Sequence, residues 1–206
     1  MAQYRRRAGV YDLELALFEP IRRKAIARLA LKRGDVVLDV GCGTGLSLAL
    51  LRQGVGAQGA IIGIEQSPEM IAKARERVAH KRWKNVTLLC APVESAQIAR
   101  QADAALFHFT HDILRRPEAV ANVIRHLKPG ARVVASGLKW ASAWAGPANL
   151  LVLPAALRSV TSLEGLHKPW SRLAEFTQSL DVEPMLLGAV YIASGRLAAP
   201  PGEASP

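Results

Sequence analysis

The sequence predicts an α/β protein built on a doubly wound, mostly parallel sheet, and two stretches establish that expectation. Val36-Val-Leu-Asp-Val40 is a β-branched and aliphatic run, interrupted only by Asp39, as a parallel strand covered on both faces requires. It runs directly into Gly41-Cys-Gly-Thr-Gly45 and then a helical pattern with Leu46, Ala49 and Leu50 apolar, so that Thr44 or Gly45 opens a helix. Glycines at 41, 43 and 45 remove the Cβ atoms that would hold a ligand off the main chain, which marks the first βα crevice of the sheet. The second stretch, Ala60-Ile-Ile-Gly-Ile-Glu65, is a short apolar strand ending in an acid. It lies about 20 residues beyond the last glycine, the spacing at which a carboxylate accepts hydrogen bonds from both hydroxyls of a ligand ribose.

The other elements follow in order. Ser67 is placed to cap a helix with Pro68 at its first position. Asn85 to Cys90 reads as the third strand and Ala102 to Phe109 as the fourth. Leu127 to Gly130 reads as a helix end stopped by Pro129 and Gly130, followed by a β-branched run to Ala135. Asp181 to Arg196 suggests an antiparallel hairpin turning at Gly188, with Val190 and Ile192 alternating. A dinucleotide fingerprint would need a third glycine where Leu46 stands, so a nicotinamide or flavin cofactor is disfavoured and a nicotinamide oxidoreductase is the competing reading.

At 206 residues, half of them apolar, the chain suits one domain, expected over 1–199 with an N-terminal arm and helix at 1–34 and an apolar insert at 140–180. The proline-rich 200–206 segment reads as a disordered tail. Two cysteines, Cys42 and Cys90, make no disulfide framework, and Arg5 to Arg7 are followed by no apolar signal region. Both observations point to a cytoplasmic protein. The net charge of +10 raises the question of an anionic partner, but the basic run from Lys73 to Lys84 mostly follows a helix face. Aromatic residues do not interleave the basic clusters, which argues against nucleic acid. Trp140 to Leu157 is charge-free for about 18 positions, near the lower limit for spanning a bilayer, but Pro147 and Pro154 break it. It reads as a buried insert or apolar lid; the competing reading is peripheral membrane contact with Trp140 and Trp144 as interfacial anchors. No motif sets an oligomeric state.

Asp39 to Gly45, Glu65 and the Leu127-Lys-Pro-Gly130 turn, spread over roughly Val36 to Gly137, together resemble the motifs of class I S-adenosylmethionine-dependent methyltransferases. The resemblance implies a three-layer, seven-stranded, mostly parallel sheet with the last strand antiparallel, and S-adenosylmethionine as cofactor. It implies that Asp39 holds the methionyl ammonium while Gly41, Cys42 and Gly43 admit the methionyl moiety and ribose. Glu65 and Gln66 then meet the ribose, Met70 lies against the adenine, Val93 and Glu94 edge the adenine, and Phe107 and His108 close the site from the fourth strand. Pro92 departs from the family pattern, standing where many relatives have an adenine-binding aspartate. That leaves the Val93 N–H, or Glu94 as a substitute acid. Met70 reads equally as a core methionine, and Cys42 as a small residue in a tight turn rather than a nucleophile.

The family's acceptor residues lie just past the fourth strand, here His108, Thr110, His111 and Asp112. Enzymes of the family that methylate nucleic-acid amines carry an Asn/Asp-Pro-Pro-aromatic tetrad there, whereas this chain has Phe109-Thr-His-Asp112. His111 is the candidate general base, oriented by Asp112 or a backbone carbonyl; a capping or core histidine is the competing reading. Tyr4 and Tyr11 on the arm are candidate substrate contacts, as are Asp112, Trp140 and Trp144, and the Glu164, His167 and Trp170 segment is a candidate far wall of the acceptor pocket. The histidines and Asp112 do not complete a metal-ligand set, so no metal is expected. The resulting expectation is methyl transfer to nitrogen or oxygen of a small, partly apolar acceptor. The alternatives are a phosphatidylethanolamine-type phospholipid acceptor and, outside this class, a non-catalytic cofactor-binding protein.

Overall fold

A computed structural model describes residues 18–140 and 167–198. Tyr4, Tyr11, Trp144, Glu164, the charge-free run beyond Trp140 and the 200–206 tail therefore lie outside the described residues.

Helix α1 (Glu19–Arg28) precedes β1 (Val36–Val40), α2 (Leu48–Val55), β2 (Ala60–Glu65), α3 (Pro68–His80) and β3 (Val86–Cys90). A 3-10 turn at Val93–Ser95 leads to β4 (Ala102–His108), the short α4 (His111–Leu114), α5 (Pro117–Arg125) and β5 (Leu127–Leu138). The short α6 (Ser171–Ala174) is followed by β6 (Thr177–Met185) and β7 (Val190–Leu197). The strands form one seven-stranded sheet in the order β3-β2-β1-β4-β5-β7-β6, with β1 to β5 parallel and β7 antiparallel to both its neighbours. This is the three-layer architecture implied by the sequence resemblance.

Strand parity divides the core in two. Val36, Leu38 and Val40 face one layer with Phe107, Val133 and Val120, while Val37 faces the other with Ile21, Leu51, Leu106 and Val134. Helices α1 and α2 cover the second face. All five residues of β1 are buried, as expected of a central parallel strand. Ser67 caps α3 by accepting the Met70 N–H at 3.3 Å, with Pro68 at the first helical position.

Three local expectations are corrected. The helix after the glycines begins at Leu48, and its buried face is Leu48, Leu51 and Val55; Ala49 is exposed and Leu46 and Leu50 are half-buried. The Thr44 to Ser47 stretch stays in turn conformation, which shifts the helical phase by two residues. Leu127 to Gly130 is extended chain at the start of β5, because α5 already ends at Arg125. In β7, Val190 to Ala193 are all buried instead of alternating, because both faces of this half of the strand are covered: Val190 and Ile192 pack into the α1-side cluster and Tyr191 and Ala193 into the other. No helix among the described residues is long and apolar enough to cross a membrane.

Asn122 on α5 holds the loop after β3. Its Nδ2 donates to the carbonyls of Val93 at 2.7 Å and Ala96 at 3.1 Å, and the side chain is buried. Replacing Asn122 with Leu strips donors from both carbonyls, and we expect urea unfolding to show a loss of about 1–3 kcal/mol. An unchanged midpoint would mean that the loop is held by other contacts.

Candidate functional site

The crevice opens at the carboxyl end of β1, where strand parity turns Asp39 toward the α1 face. Asp39 pairs in register with Gly63 on β2 and Leu106 on β4, so its carboxyl group is enclosed by the sheet and only 2% of the residue is exposed. Burial pushes its pKa up to about 7, an effect opposed by the charge of Arg22 and reinforced by that of Glu65. Its Oδ2 is buried without a hydrogen-bond partner.

Arg22 comes from α1. It belongs to the buried stripe of Ile21, Arg22, Ala25 and Ile26, and lines the crevice together with Asp39, the Gly41 to Ser47 turn, His108 and Phe109. Its Nη1 pairs with Glu19, while its Nε and Nη2 are buried with no hydrogen-bond partner. A buried cation with spare donors therefore shares one crevice with a buried carboxyl that has a spare acceptor.

The glycine turn is fixed to β2 by the N–H groups of Gly41 and Cys42, which donate to the Ile64 carbonyl at 2.8 and 3.0 Å. Gly41 has φ +70°, and a Cβ there would come within 2.5 Å of the Thr110 methyl and 2.9 Å of Ile113. Gly43 has φ +55°, and nothing lies within 4 Å of where its Cβ would stand, which leaves main chain open to a ligand. The Cys42 side chain packs against β2: a Cβ on Gly63 would meet its sulfur at 2.9 Å, and burial raises the thiol pKa strongly. Its side chain is thus packing beneath the turn.

Glu65 clamps two loops. One carboxylate oxygen accepts the Gly43 N–H at 3.1 Å and the other accepts the Ser67 N–H at 2.9 Å. Each oxygen has a further lone pair for a hydroxyl donor. Gln66 beside it is exposed, and Met70 is buried at the start of α3.

On the opposite wall His108 stands in register with Ser136, and its Nδ1 lies 2.7 Å from the serine Oγ. Burial, and then the charge of Arg22, pull its pKa down to about 3, so the ring is neutral near pH 7. Phe109, with φ +56°, packs edge-on to His108 at 4.8 Å and tilted against Phe18 at 4.9 Å. The left-handed turn at 109 changes the side to which the ring points. Phe107 belongs to the core on the far face, whereas Phe109 packs on the α1 side.

Asp39, Gly41, Cys42, Gly43 and His108 therefore line one crevice, with Glu65 bound to its rim. Phe107 is fully buried and outside it. Val93 is buried, and Glu94 is paired with Arg116 at 2.6 Å beside a separate polar hollow with Gln97, Asn122 and Arg125. His111 is the buried first residue of α4, outside the crevice lining, and the Oδ1 of the adjacent Asp112 is buried without a hydrogen-bond partner. Trp140 is half-buried against the α1-side cluster. His167 is exposed, and Trp170 packs on Tyr191 at 4.7 Å. Sequence reasoning missed Arg22, Phe18 and Phe109; for Arg22 the available signal was its helical spacing from Ala25, Ile26 and Leu29.

Residues 37–130 match the sequence profile of a family described as a methyltransferase domain. The chain is 34% identical over 127 residues to an arsenite methyltransferase of Halobacterium salinarum, a match that covers 61% of this chain and 31% of that protein. It is 30% identical over 131 residues to the aklanonic acid methyltransferase DauC of Streptomyces sp. strain C5, covering 61% of this chain and 59% of the relative. The chain thus spans between about a third and three fifths of the length of these curated relatives. The crystal structure of the N-methyltransferase NodS from Bradyrhizobium japonicum WM9 has the same fold, with a TM-score of 0.64 at 18% identity, covering 88% of this chain and 97% of that one. The glycine turn and the strand order agree with the methyltransferase-domain profile matched over residues 37–130, somewhat under half of the chain, and with the class I methyltransferase fold shared with that crystal structure.

Proposed function

We propose that this chain binds S-adenosylmethionine in the Arg22–Asp39 crevice and transfers its methyl group to nitrogen or oxygen of a small, partly apolar acceptor. The observation that carries this reading is the pairing of spare buried donors on Arg22 with a spare buried acceptor on Asp39 in one crevice. That arrangement is complementary to an amino acid zwitterion: the guanidinium donates to the carboxylate and Asp39 accepts from the ammonium. The remaining lone pairs of Glu65 accept from the ribose hydroxyls, while its bonds to the Gly43 and Ser67 N–H groups keep it aimed at them. Gly43 exposes main chain to the ligand, and Met70 supplies an apolar wall for the adenine. No cofactor-binding role is retained for Phe107, which lies in the core.

The cofactor, when bound, supplies an activated methyl group on a sulfonium. The protein has to align an acceptor lone pair with it and exclude water. Phe18 and Phe109 form an apolar wall beside the crevice, and Trp140 lies on the same side of the sheet. His111 takes the acceptor proton, with Asp112 as the neighbouring carboxylate. His108 is unsuited to that task, because a pKa near 3 makes it a weak base at neutral pH. The small-molecule substrate named for the aklanonic acid enzyme supports an acceptor of modest size.

The test is an acceptor screen with methyl-labelled S-adenosylmethionine over amines, phenols, carboxylic acids and aminophospholipids, with S-adenosylhomocysteine as readout. Turnover on phosphatidylethanolamine alone would favour the phospholipid alternative. Cofactor binding without turnover on any acceptor would favour a non-catalytic binding protein. Arg22→Met and Glu65→Gln should each weaken S-adenosylmethionine binding about 10- to 100-fold. His111→Ala should lower turnover about 100-fold or more and leave that binding intact; equal loss of binding in all three would refute the division of roles.

Asp39 also sets a pH dependence. In the unfolded chain its carboxyl ionises near the ordinary value of about 3.9, and in the free folded protein only near 7. Between those values the native state holds the extra proton, so the Asp39 contribution to stability falls as pH rises from about 4 to 7 and is level above. Binding of the ammonium requires the ionised form, so affinity for S-adenosylmethionine should rise across the same window with release of a proton. Calorimetry in buffers of different ionisation enthalpy measures that proton, and Asp39→Asn should abolish it.

A further inference from the structure

The β6–β7 hairpin ends in a tip with no apparent structural economy. Leu186 and Leu187 have φ of +49° and +55°, two consecutive leucines in the left-handed region that glycine or asparagine occupies without difficulty. They are also the large hydrophobic residues that stand exposed among the described residues, at 59% and 75%. The flanking residues anchor the tip: Met185 and Ala189 pack into the α1-side cluster, and the Lys139 N–H donates to the Ala189 carbonyl at 3.0 Å. A strained backbone on well-packed supports therefore holds two leucyl side chains in water.

Their location ties them to the crevice. Leu138, at the carboxyl end of β5, pairs with Val190 at the foot of the tip. β5 runs parallel to β4 and β1, and the Phe109 N–H donates to the Ser136 carbonyl of β5 at 2.8 Å. The tip thus stands at the same sheet edge as His108, Phe109 and the glycine turn.

The charge around it selects a partner. The acids nearest to the tip on β6, Asp181 and Glu183, are already engaged by α1: Arg28 reaches both at 2.7 Å, and Lys24 pairs with Glu183. Lys139 flanks the base, and the whole chain has a net charge of +10. Those pairs neutralise Asp181 and Glu183, so an anionic surface meets Lys139 at the base of the tip and the net positive charge of the chain, and no unpaired carboxylate from either of those two β6 acids.

We propose that Leu186 and Leu187 insert into an anionic phospholipid bilayer and so set the acceptor edge of the sheet against the membrane. The inference rests on the proposed methyltransferase reading only for what the docked edge would do; insertion itself is independent of it. The proposed anchor is this hairpin tip, carried on β6 and β7.

The test is sedimentation of the full chain with vesicles of phosphatidylcholine alone or mixed with phosphatidylglycerol. The wild type should bind the anionic vesicles, and the Leu186→Ser/Leu187→Ser variant should lose at least tenfold in partitioning. Leu187→Gly should also bind more weakly while its Tm stays level or rises, since the substitution relieves the backbone without unfolding the hairpin. Wild-type chain that stays in the supernatant, or variants that sediment as well as the wild type, would overturn the proposal. So would a wild-type dimer that the double variant converts to monomer, which would assign the tip to a second copy of the chain. S-adenosylmethionine binding, titrated in the same samples without vesicles, reports separately on the methyltransferase reading.

Discussion

A carboxylate at the end of a strand with no solvent face is the constraint around which the crevice is organised. β1 is buried along its whole length, and Asp39 is carried into the interior by the same strand parity that buries Val37. Ionising it there without a partner is unfavourable, which its raised pKa of about 7 expresses. Arg22 across the crevice offsets part of that penalty, and a ligand ammonium would offset more. The free protein is in this sense incompletely compensated at the point where it binds.

Arg22 reaches that point because α1 is docked on the sheet. Ile21, Ala25, Ile26 and Leu29 are buried against residues of β1, β4, β5 and β7. Three ion pairs from Lys24 and Arg28 to Asp181 and Glu183 join the outer side of the helix to β6. These pairs are substantially exposed, and such contacts contribute little individually, so the apolar stripe supplies most of the docking energy. What the pairs supply is register, since they fix which turn of α1 faces the glycine loop. They also neutralise Asp181 and Glu183 of β6, the acids nearest to the hairpin tip.

The parts legible in the sequence were those set by local chemistry. A central strand needs an apolar run, a tight turn after it needs glycines, and a helix start needs a capping side chain with a proline behind it. Hence Val36 to Gly45 and the Ser67 cap could be placed from residues alone. Features set by tertiary context were not legible. Arg22 sits in a run of three basic residues, Arg22 to Lys24, and only its spacing from Ala25 and Ile26 hints at burial. Phe107 and Phe109 have the same parity, and the left-handed backbone at 109, which separates them, leaves no mark in the sequence. The late start of α2 and the burial of Val190 to Ala193 depend likewise on where the turn and β7 are seated.

The proposed function requires a crevice built for an amino acid zwitterion joined to a nucleoside and not for a pyrophosphate. Calorimetric titration of the full chain at pH 8 with S-adenosylmethionine, and separately with reduced nicotinamide dinucleotides, tests it directly. Saturable one-to-one binding of S-adenosylmethionine with no heat from the dinucleotides is the predicted result. Binding of a dinucleotide with none of S-adenosylmethionine would contradict it, and would return Asp39 and Arg22 to the status of a buried structural pair.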